Sequence, residues 1–83
     1  MTKSIYTTQY AILLELLAKT RAHSGVTQNE LAKRLKMTQS SVSKVERGER
    51  RLDVIELHAW CRALGAPFKT VMSELDQRLG KER

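Results

Sequence analysis

Gln39, Ser40, Ser43 and Lys44 are hydrogen-bonding side chains spaced to share one face of a short helix. Donors and acceptors of this kind can match the edges of base pairs in the major groove of a duplex. Gln39 can pair in two-pronged fashion with adenine, and Lys44 can donate to guanine. Residues near the start of such a helix reach deepest, which puts Gln39 and Ser40 first and Ser43 and Lys44 one turn later.

The elements that would position them lie at about 27–47. Thr27 and Glu30 have the Thr-x-x-Glu spacing of a capping box, in which each side chain satisfies the other residue's free amide. Leu31, Ala32 and Leu35 then face inward on the second helix of the chain. Thr38 caps a third helix running to about Arg47, with Val42 and Val45 inward and Gly48 as its stop. Two short helices joined by a tight turn make a helix-turn-helix, one to brace and one to enter the groove.

Around this unit the first helix covers about 8–24. Ile12, Leu13, Leu16 and Leu17, extended by Ile5 and Tyr6, form its apolar face, and Gly25 ends it. A fourth helix runs from an Asp53 cap to Leu64, with Val54, Leu57, Trp60, Cys61 and Leu64 as its core stripe. Gly65 and Pro67 stop it, and Phe68, Val71, Met72, Leu75 and Leu79 define a fifth helix to about residue 79. No segment alternates with a period of two, so the expectation is all-α, one compact five-helix domain over 1–83 with a core at about 8–79.

The chain has 83 residues, and fifteen Lys and Arg stand against nine Asp and Glu, a formal charge of +6. A basic balance favours an anionic partner. Lys33, Arg34, Lys36, Lys44, Arg47, Arg50 and Arg51 all fall on or beside the helix-turn-helix. The single cysteine excludes an internal disulfide. No apolar run approaches the ~20 residues of a membrane span, and no signal-peptide pattern opens the chain. The reading is a cytoplasmic protein without membrane contact. Only four aromatics are present, none among the basic residues, which disfavours a single-strand stacking platform.

His58 and Cys61 share a helical face, but they have neither an orienting third group nor a second ligand pair, so no catalytic residue, metal or cofactor is expected. Cys61 and Trp60 read as core, with a dimer interface the other reading for Trp60. His23 sits near a helix end, where positive charge is mildly favoured.

The run Val-Thr-Gln-x-Glu-Leu-Ala-x-x-Leu, then Thr-Gln-Ser-Ser-Val-Ser-Lys-Val-Glu-Arg-Gly-Glu-Arg-Arg, then Leu-x-x-x-Cys-Arg-Ala-Leu-Gly resembles the phage-repressor and Cro-like, or Xre-like, helix-turn-helix family. The resemblance covers about 21–75. It implies a lambda-repressor-like five-helix fold, bacterial or phage-encoded, that binds near-palindromic operators as a homodimer and usually represses transcription. It places Gln39, Ser40 and Lys44 at base-contacting positions and Gln28 at a phosphate. It also implies an ion pair between Arg21 and Glu46 that fixes the recognition helix. Thr38, Ser41, Arg47, Arg50 and Arg51 are further candidates for the DNA backbone. The chain departs from the family at Lys36, where glycine is common. A left-handed backbone there would cost a lysine on the order of 1 kcal/mol, and the ammonium would lie near the DNA. Ile55 and Leu79 are candidates for the dimer surface. Two alternatives share this fold: an antitoxin that neutralises a protein toxin, and a restriction-modification controller. An enzyme is the least favoured class.

Overall fold

Helix starts in this chain are set by short polar side chains that take over free backbone amides. The computed structural model describes residues 7–81, which form α1 (Thr8–Ser24), α2 (Gln28–Leu35), α3 (Gln39–Glu46), α4 (Val54–Leu64) and α5 (Phe68–Lys81). Thr7, Thr27, Thr38 and Asp53 cap the first four, each accepting from the amide three residues on at 2.7–3.1 Å. Such a cap contributes about 1 kcal/mol. The capping box at Thr27 and Glu30 is complete, and Asp53 and Glu56 form a second. In the first, the Thr27 amide and hydroxyl hydrogen-bond Glu30 and hold its carboxyl below the ordinary glutamate range.

The turn between α2 and α3 is made without glycine. Lys36 adopts φ 58° and ψ 45°, the left-handed region, and the Met37 amide donates back to the Ala32 carbonyl at 3.0 Å. Gly25 and Gly65 end α1 and α4 with the same return bond, from Val26 to Arg21 and from Ala66 to Cys61. Lysine therefore does at one turn what glycine does at the others, with Cβ strain added.

The core is one cluster drawn from all five helices. Leu31, Val42, Val45 and Cys61 are fully buried, Trp60 is 1% exposed, and Leu16, Leu17, Leu64 and Val71 close around them. α2 packs on both α3 and α4, while α1 lies across α3, α4 and α5. Arg34 ties α2 to α4 by donating to the Ala63 carbonyl at 2.7 Å.

Several sequence expectations need correction. Val54 shares the α4 stripe by spacing, yet it is 62% exposed, at the first residue of α4, while Leu57 one turn on is buried. On α1, Tyr10 and Leu14 are buried while Ile12 is only half-buried. Leu79 is half-buried, and α5 continues to Lys81. Ile5 and Tyr6 lie outside the described residues. No β-strand occurs among those described.

Candidate nucleic-acid interface

α3 has two unlike faces. Val42 and Val45 are sealed in the core, while Gln39, Ser40 and Lys44 are exposed and Ser43 is half-buried. The buried valines fix the helix's rotation, so the polar face must point outward. Thr38 accepts from the Ser41 amide and donates its own hydroxyl proton to Ser41 Oγ at 2.9 Å, which stiffens the first turn.

A chain of polar contacts runs from α1 to this face. Arg21 grips Glu46 in two-pronged fashion, Nε to Oε2 at 2.7 Å and Nη2 to Oε1 at 3.2 Å. Its Nη1 donates to the Val26 carbonyl at 3.0 Å. Gln28 Nε2 donates to Glu46 Oε1 at 2.7 Å, and Gln39 Nε2 donates to Gln28 Oε1 at 2.6 Å. The direction of these bonds is forced. A carboxylate only accepts, so Gln28 must turn its NH2 to Glu46 and its oxygen to Gln39. Gln39 then spends one N–H on Gln28 and keeps its second N–H and its carbonyl oxygen. A donor and an acceptor remain side by side at the surface, the pair that an adenine edge requires. The Gln28–Glu46 bond has no signal in the sequence, since it joins residues 18 apart on different helices.

The basic loop between α3 and α4 is more internally engaged than its sequence suggests. Arg47 pairs with Glu49, Nε to Oε2 at 2.9 Å, and also donates to Ser43 Oγ. That hydrogen bond with Arg47, and its charge, hold the Glu49 carboxyl below its ordinary range. Arg50 pairs with Glu56 at 2.8 Å, on the carboxylate that also accepts from the Asp53 amide. Arg51 lies over the ring of Tyr10, 4.6 Å from its centroid. The exposed Lys36 ammonium lies on the turn that leads into α3.

Cys61 and His58 are parted by the fold. The Cys61 thiol is buried, and desolvation pushes its pKa up, which suits an apolar filler. His58 is exposed and tilts against the Phe68 ring at 5.1 Å. His23 is exposed on the last turn of α1. Among the described residues no cluster of three or more His, Cys, Asp or Glu is placed to hold a metal ion. None of their helices is long and apolar enough to cross a membrane.

The helix-turn-helix domain family matches residues 12–75. An XRE-family-like protein from Pseudomonas syringae pv. tomato str. DC3000 is 47% identical over 84% of this chain and 85% of its own, with a TM-score of 0.80. The chain belongs to the Xre-like helix-turn-helix family. This family comprises DNA-binding transcription regulators. Similar in structure as well is the clp gene regulator ClgR from C. glutamicum, 30% identical over 88% of this chain and 95% of that one, TM-score 0.74. The same fold occurs in the restriction-modification controller protein C.Esp1396I, solved as a tetramer with its natural 35-base-pair operator. There the identity is 21%, the coverage 87% of this chain and 95% of that one, and the TM-score 0.78. No protein of curated function matches this chain in sequence.

Proposed function

We propose that this Xre-like protein is a sequence-specific double-stranded DNA-binding repressor that engages a near-palindromic operator as a homodimer. The observation that carries the reading is the Gln39 amide, exposed at the start of α3 and oriented by Gln28 and Glu46. α3 enters the major groove with Gln39 reading adenine and Lys44 reading guanine, flanked by Ser40 and Ser43. Gln28 and Ser41, at the starts of the two helices, Thr38 beside Ser41, and Lys36 in the turn face the phosphates, where free amides also favour an anion. The Arg21–Glu46 pair makes no DNA contact and holds α3 from behind.

One copy offers few base contacts, and typical operator affinity calls for two recognition helices about 34 Å apart. Val54 and Ile55, exposed together on α4, supply an apolar surface for the second copy. The controller protein of the same fold is itself oligomeric on its operator, which supports this arrangement.

The test is selection of bound sites from random duplexes, with a Gln39→Ala, Lys44→Ala double variant alongside. An enriched inverted repeat that the double variant loses is the expected result, and its half-site spacing follows directly. Wild-type protein that enriches nothing would overturn the reading.

A further inference from the structure

The three loop arginines differ in what they have left to give. Arg47 and Arg50 are each neutralised by a carboxylate of this chain, Glu49 and Glu56. A phosphate reaching either must displace or share with a charge already in place. Among the described residues, no carboxylate lies within ion-pair distance of Arg51. Its guanidinium rests on the Tyr10 ring instead. A ring attracts the cation without consuming the N–H donors, which lie at the guanidinium's edge and match a phosphate. Tyr10 also accepts the Leu52 amide through its hydroxyl at 3.1 Å, so one side chain holds both the guanidinium of Arg51 and the backbone that follows it. Tyr10 is itself only 8% exposed, a fixed platform at the start of α1.

We infer that Arg51 is the main phosphate ligand of the α3–α4 loop and that Tyr10 is the residue that positions it. This rests on the DNA-binding reading and adds a function for the first turns of α1. It narrows the expectation of a shared clamp: a loop with three arginines presents one uncommitted cation.

Affinity of the full chain for a random-sequence duplex, measured across a salt series, tests both parts. Each phosphate neutralised contributes about 0.9 to the slope of log affinity against log salt. Arg51→Gln should flatten the slope by about that much. The charge-neutral double variant Arg47→Gln, Glu49→Gln should flatten it by less than half as much. Tyr10→Phe keeps the ring and should keep the slope. Tyr10→Leu should flatten it, and adding Arg51→Gln to Tyr10→Leu should flatten it no further. A merely structural Tyr10 would lower the melting temperature and leave the slope of the folded protein untouched. A wild-type slope in Arg51→Gln overturns the ligand assignment. A wild-type slope in Tyr10→Leu, with Arg51→Gln flattened, overturns the positioning. Wild-type protein that binds no duplex at all removes the DNA-binding reading and this assignment with it, a result distinct from either.

Discussion

Gln39, Gln28, Glu46 and Arg21 hold one another in a line from the surface of α3 back to α1. Val54 and Ile55, on the first turn of α4, are 62% and 74% exposed and apolar. Both regions stand on the same core and both face outward. In the first, donors and acceptors are paid out in one fixed sense, which prepares a surface to discriminate between polar ligands. In the second the available attraction is non-directional, set by area and not by pattern. On the proposed reading, specificity and self-association fall on different elements.

Removing their common support should have the largest effect. Leu31, on the inner face of α2, is fully buried, and Leu31→Ala should cost about 3 kcal/mol of unfolding free energy in a urea titration. Both regions would be lost together. Arg21→Ala separates them. It strands Glu46 in a site where the two side chains are 22% and 12% exposed, and should cost about 2 kcal/mol, less than for a fully buried pair. An unchanged melting temperature would refute the bracing role of the pair. Glu46→Gln should be milder in stability, yet an amide there can donate as well as accept. The sense of the Gln28–Gln39 bonds would no longer be imposed, and site selection should show a relaxed preference at the base facing Gln39.

Lys36→Gly tests the turn alone. Relief of left-handed strain should outweigh the added freedom of the unfolded chain and stabilise by about 0.5 kcal/mol. Acid should weaken the cap of α2 and the start of the loop after α3. Glu30 and Glu49 titrate lower in the folded protein than in the unfolded chain. Their contribution is therefore complete above the ordinary glutamate pKa of 4.5 and is lost as pH falls through the depressed folded values. Thermal melts stepped downward in pH should show little change above that value and a progressive fall below it. Ile55→Lys should have the smallest effect on folding, within about 0.5 kcal/mol of zero. Its effect should be on association, read as a lower weight-average mass in sedimentation at matched concentration. Unaltered association would move the dimer surface away from α4.

Nearly all of the secondary structure was legible in the chain, and for a local reason. Caps bond to amides three residues away, and return bonds at helix ends span four or five, so Thr27, Thr38, Asp53 and Gly65 mark their boundaries within one turn of sequence. The outward face of α3 was legible on the same ground, since Val42 and Val45 anchor its rotation and leave Gln39, Ser40 and Lys44 opposite. Coverage was not. Helical spacing puts Val54 in line with Leu57, but only the reach of the neighbouring helices decides that one is exposed and the other buried. The Arg21–Glu46 pair was expected, though through the family resemblance and not a local pattern; other long-range polar partners were not legible. Gln28 meets Glu46 across 18 residues, and the Tyr10 hydroxyl meets the Leu52 amide across 42. Those contacts depend on how closely the core lets α1, α2 and α3 approach, a distance that packing of Leu31, Val42, Val45 and Trp60 sets and no short-range pattern encodes.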